Sequence, residues 1–178
     1  AMELELHATD PAKRRNNPLL VDKRHQRLTS LTHEATRFLV NHPRSSFSSQ
    51  VRYLRATAYE QLSDEKNADK DFRTLIETPA NEKSNGNNQW NFWRTKAALD
   101  LADRMFSHKR YADAVQVYPV LLPHNPTLDA HIRIQQQIAF CHDHLGNLEN
   151  EIAAWTRIDT LWREQENRLE EAQDILAV

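Results

Sequence analysis

Glycine is nearly missing from this chain, with two in 178 residues. A β-rich fold of that size needs residues able to take positive φ in its tight hairpins, so the scarcity argues against one. Cysteine occurs once, as Cys141, which excludes an intrachain disulfide and leaves the redox compartment open. No apolar run approaches the length of a membrane span, so no direct membrane insertion is expected. A formal net charge of −2 lacks the basic excess of a general nucleic-acid binder. No leader with a charged start and an apolar stretch is visible. Ala1-Met2 reads as a cloning scar, and the sequence is therefore expected to be a piece of a longer protein. Catalytic signatures are missing too: there is no Gly-rich phosphate loop, no G-x-S-x-G elbow and no H-E-x-x-H pair. The expectation is a protein that is not an enzyme, with no cofactor and no nucleic-acid partner.

What remains is rich in helix formers (Ala, Leu, Glu, Gln, Arg), and the expected class is all-α. The best-patterned stretch runs from Trp93 to Pro126. Two helical segments are joined there by a polar turn at Ser107-His108-Lys109-Arg110. Small residues recur where two helices would cross, at Ala98, Ala102 and Ala114, with Leu101, Met105, Tyr118 and Leu121 on the same faces. Pro119 would remove a hydrogen bond from the second segment, so a bend is expected there.

The spacing Leu101-Ala102-x2-Met105, Tyr111-x2-Ala114-x3-Tyr118 and Pro126 resembles a tetratricopeptide repeat, whose pattern is W-x2-L-G-x2-Y…A-x3-F…P over about 34 residues. Ala98 replaces the early Trp and Ala102 the Gly. The resemblance implies a right-handed α-solenoid of antiparallel helix pairs. A neighbouring copy at about 48–78 carries Ala56-x2-Tyr59 and Ala68-x3-Phe72. From His42-Pro43-Arg44-Ser45 onward that copy is similar to repeats of bacterial envelope proteins, the outer-membrane assembly lipoproteins and Tol-system accessory proteins. This implies a periplasmic or cell-envelope setting.

Taken in order, residues 1–17 read as a flexible, solvated N-terminal segment with Lys13, Arg14 and Arg15, and residues 18–178 as the repeat domain. Asn17-Pro18 would cap a helix running to Val40, giving a half-repeat over 18–43 that is the second half of a repeat whose first half lies upstream. Residues 79–92, with Pro79, Gly86 and five asparagines, read as a loop of the length that is often functional. Trp90, Phe92 and Trp93 at its far end either start the next helix, the favoured reading, or form an aromatic anchor through Trp90 and Phe92. The fourth copy spans 127–162 and turns at Leu145-Gly146-Asn147-Leu148, where Gly146 suits a left-handed helix end. The equivalent small residues Ala56, Ala102 and Ala139 are unevenly spaced. From Trp155 the apolar spacing alternates three and four through Ile158, Trp162, Gln165, Leu169, Ala172 and Leu176. That predicts one long helix reaching nearly to residue 178, either capping the last repeat or self-associating through 155–176.

One cluster looks ligand-like, Cys141-His142-Asp143-His144. On a helix His142 and His144 point roughly 200 degrees apart and cannot easily converge on one metal, so no metal site is expected. Cys141 reads instead as a buried structural thiol. In the tetratricopeptide family the concave, partner-binding surface comes mainly from the first helix of each unit. The resemblance therefore implies a peptide or protein partner held by Gln50, Tyr53, Thr57 and Glu60, then Lys96, Leu99, Asp103 and Phe106, then Arg133, Gln136, Phe140 and Asp143. Phe106 and Phe140 could equally be core. A second reading is an oligomerisation or assembly domain. Residues 1–45 hold eight Lys/Arg against five Asp/Glu, and residues 145–178 three against eight, so opposite ends carry opposite sign.

Overall fold

The computed structural model describes residues 18–78, 88–124 and 127–176. The N-terminal segment 1–17 and most of the expected loop lie outside these. Among the described residues there are seven α-helices, one 3-10 helix and no strand, so the protein is all-α. The chain divides into two compact units, Ala1–Ser84 and Asn85–Val178, where the sequence reading carries a single array through 18–178.

The first unit holds α1 (Pro18–Asn41), α2 (Ser48–Gln61) and α3 (Glu65–Glu77). Pro18 opens α1, where a missing N–H costs nothing. Only its second half is packed: Thr32, Ala35 and Leu39 are buried, while residues 18–27 are exposed. Tyr53, Ala56 and Ala58 of α2 meet Ala68, Phe72, Leu75 and Ile76 of α3 in a small core. A charged network threads the same helices. Arg55 grips buried Asp71 with two 2.7 Å hydrogen bonds and donates a third, at 2.8 Å, to the Thr36 hydroxyl of α1. Arg52 adds a longer contact at 3.3 Å. Burial opposes charge on Arg55, but its bonds to Asp71 outweigh this and raise its pKa. The network ties three helices to one another.

The second unit holds α4 (Asn88–Ser107), α5 (Tyr111–Val117), a 3-10 helix (Tyr118–His124), α6 (Leu128–His144) and α7 (Leu148–Leu176). Three sequence expectations change here. Residues 88–92 are not loop but the first turn of α4: between Asn88 and Ser107 no Pro or Gly breaks the helix. The second segment does not simply bend at Pro119. It leaves α-geometry at Val117 and continues as a 3-10 helix, because Pro119 has no N–H for the carbonyl of Val115 and Pro123 repeats the defect. The long helix is continuous from Leu148, and it buries Ile158 of the expected seam together with Ala154 and Leu161 beside it. Ile132, Ile158 and Leu161 form its contact with α6, backed by Leu128. Trp155, Trp162 and Leu169 are left 38%, 50% and 54% exposed.

Three helix-to-helix turns have one geometry. Ser63, Lys109 and Gly146 stand in left-handed conformation, at φ 61, 60 and 68. The next residue in each turn donates its N–H to the carbonyl five positions back, Asp64 to Tyr59, Arg110 to Met105 and Asn147 to His142, at 2.9, 2.8 and 2.8 Å. This is the Schellman closure of a helix end. Seven residues before each left-handed residue stands an alanine with no exposed surface, Ala56, Ala102 and Ala139. Those alanines are unevenly spaced because the turns are.

Candidate functional site

The groove residues fall in both units, and each unit has its own geometry. In the first, Tyr53 is buried and packs edge-on against Phe72, with ring centroids 5.9 Å apart. It belongs to the core, with 7% of its surface exposed. Thr57 is half-buried and turns its hydroxyl back onto the Tyr53 carbonyl at 3.0 Å. Gln50 is half-buried and Glu60 exposed.

In the second unit a cavity of about 350 Å³ opens between α4, the 3-10 helix and α6. Thr95, Leu99 and Asp103 recur every four residues along α4 and so share one face. The 3-10 helix brings Tyr118 and Leu121 beneath them, both almost fully buried, and α6 adds Arg133 and Ile134. Three of the sequence-predicted residues, Leu99, Asp103 and Arg133, thus meet around one cavity. The floor is apolar, and Leu99 stands 44% exposed at its wall.

The polar groups are few and distinct. The Tyr118 hydroxyl donates to Asp103 Oδ1 at 3.0 Å. Partial burial pushes the Asp103 carboxyl above the usual aspartate range, and nearby Asp100 adds to the rise, while the bond from Tyr118 pulls the other way. The phenol is itself pushed upward by burial and by the Asp103 charge, so it stays a donor. Arg133 reaches from the rim with its side chain 80% exposed and meets Asp129 only loosely, at 3.7 Å. The cavity therefore offers an apolar slot with an anionic acceptor on one wall and a solvated cation at its mouth.

The remaining candidates lie elsewhere. Lys96 and Gln136 are half-buried and do not line the cavity. Phe106 packs edge-on against Tyr111 at 5.3 Å and reaches toward His144, 6.2 Å away. Phe140 is 42% exposed and meets Trp155 edge-on at 5.7 Å, so neither phenylalanine faces the slot. Asp143 is exposed. Phe92 is 56% exposed and sits edge-on to Trp93, whereas the side chain of Trp90 lies outside the described residues. Cys141 is a free, fully buried thiol whose pKa burial pushes up to about 11, which suppresses the reactive thiolate. Its neighbour His144 stacks on Tyr111 at 4.3 Å. Among the described residues no group of three or more His, Cys, Asp or Glu side chains is placed to hold a metal. Nor is any helix among them long and apolar enough to cross a membrane.

Sequence reasoning missed Tyr118, Leu121 and Ile134 as cavity residues. On α4 a four-residue period from Asp103 would have found Thr95. No such signal marks the 3-10 segment, whose faces follow a different period. Comparison with protein-family models, with curated proteins and with solved structures finds no match to this chain.

Proposed function

We propose that this protein is a non-catalytic interaction scaffold of the tetratricopeptide type, which holds a segment of a peptide or protein partner in the slot of its second unit. The observation that carries the reading is the meeting of Leu99, Asp103 and Arg133 around one apolar-floored cavity. An apolar side chain of the partner enters the slot against Leu121 and Ile134. A basic or hydrogen-bond-donating group beside it faces Asp103, and a carbonyl or carboxylate meets Arg133. The shared turn geometry, with a buried alanine seven residues before each left-handed residue, supports a repeat architecture of solenoid type.

The test is selection from a displayed random-peptide library on the immobilised protein. Enriched peptides should pair a bulky apolar residue with a basic one. They should lose at least tenfold in affinity on Leu99→Arg and on Arg133→Glu, with Tm unchanged, since both positions are exposed. Peptides that bind both variants as well as they bind the native chain would place the partner surface elsewhere. An empty selection would remove the reading.

A further inference from the structure

The outward face of α7 is a feature that the slot does not use. Leu148, Ile152, Trp155, Trp162 and Leu169 stand 65%, 55%, 38%, 50% and 54% exposed. Their intervals of four, three, seven and seven place them along one side of the helix, over roughly 32 Å. Two indoles in such a stripe are the side chains that most often anchor an interface.

The hairpins themselves indicate that this side is built to be covered. Nine residues after each left-handed turn residue stands an aromatic: Phe72, Tyr118 and Trp155. Phe72 and Tyr118 are 0% and 1% exposed, whereas Trp155 at the same offset is 38% exposed. In the two earlier hairpins packing covers that aromatic. In the third it stands open.

A complementary surface lies in the first unit. Between α1 and α2 runs a groove of about 430 Å³, with Leu31 and Leu54 exposed on its lips and Ala35, Phe38 and Val51 within. Arg37 and Glu34 both line it. The charges match. Helix α1 carries Lys23, Arg24, Arg27 and Arg37 against Asp22 and Glu34. Helix α7 carries three arginines against eight acids. Two of those arginines are engaged along the helix itself, Arg163 with Asp159 at 3.0 Å and Arg157 with Glu164 at 3.8 Å.

We propose that the chain associates head to tail, the α7 stripe of one copy seating Trp162 and its neighbours in the α1–α2 groove of a second copy. The contact is heterologous: each copy keeps one free stripe and one free groove, and assembly continues beyond a dimer. With about five apolar side chains on the inserting helix, the contact falls at the small end of specific interfaces, so assembly depends on concentration. Its charge component makes it weaken with salt.

Sedimentation velocity on the full chain, over a concentration series at low and high salt, tests this. The weight-average mass should climb from the 20.8 kDa monomer beyond twice that value at low salt and fall back at high salt. Trp162→Glu and Leu54→Glu should each abolish the climb. Mixing the two variants should restore a dimer and nothing larger, because one retains an intact groove and the other an intact stripe. If circular dichroism shows either variant unfolded, Leu169→Glu and Leu31→Glu replace them with the same expectations. A native chain that stays monomeric throughout overturns the proposal. So does association that Trp162→Glu abolishes and Leu54→Glu leaves intact, which would mean that α7 pairs with α7.

Discussion

Two side chains carry backbone strain that a third position avoids. Ser63 and Lys109 hold left-handed conformations that only glycine takes without penalty, and Gly146 occupies the equivalent place. Ser63→Gly and Lys109→Gly should each stabilise their hairpin by about 0.5–1 kcal/mol, read as a higher urea midpoint at unchanged slope. Gly146→Ala should do the reverse by about 1 kcal/mol, and the cost is conformational alone, since an added Cβ would meet nothing within 4 Å. The glycine was legible in the sequence as a helix end. Ser63 and Lys109 were not, because a serine or lysine signals no particular turn and only the five-residue hydrogen bond forces their φ. The Asp103 carboxyl shows a second residue-scale effect. Its folded pKa lies above the ordinary aspartate value, so what it contributes to stability is present below about pH 4 and is lost as pH rises through the folded value. Asp103→Asn removes that loss while keeping an acceptor for Tyr118. The Tm difference, variant minus native, should grow more positive from about pH 4 to neutrality; a constant difference would refute the assignment.

Helix crossings are set by small residues, and these were the most readable elements. Ala56, Ala102, Ala114 and Ala139 all have no exposed surface, as expected of residues that let two backbones approach. Ala102→Leu should cost about 1–3 kcal/mol in chemical unfolding, since close-packed neighbours must move to admit it. Ala153→Leu, on the exposed face of α7, is the control and should change little. The elements read less well where a local rule met a competing one. Pro119 predicted a bend, and the outcome was a change of helix type, with Tyr118 and Leu121 of the 3-10 helix in the core. Only part of the seam expected on the long helix is packed, for a related reason. A three-and-four alternation fits either of two adjacent stripes, and α6 selected the one through Ala154, Ile158 and Leu161.

At the scale of the whole molecule, the division into Ala1–Ser84 and Asn85–Val178 gives each part its own buried core. Parts of this size are long enough to fold alone. The fragment Asn85–Val178 should therefore keep a helical far-UV spectrum and melt cooperatively; a flat, non-cooperative melt would show that its core is insufficient. The first unit has the smaller apolar core, and the Arg55–Asp71 grip draws its three helices together.

The sequence by itself determined the class, the placing of most helix ends and the small residues at the crossings. These depend on propensity, proline, glycine and local period, all of which act within a few residues. The expectation that Leu99, Asp103 and Arg133 belong to one surface came from the resemblance to tetratricopeptide repeats and not from any local period. The tertiary structure alone decided that these three meet over Tyr118 and Leu121, that Tyr53 goes inside against Phe72, and that the tryptophans of α7 face outward. Those outcomes depend on which of several eligible faces finds a partner. That choice is made by contacts between residues far apart in the chain, and no local pattern encodes it.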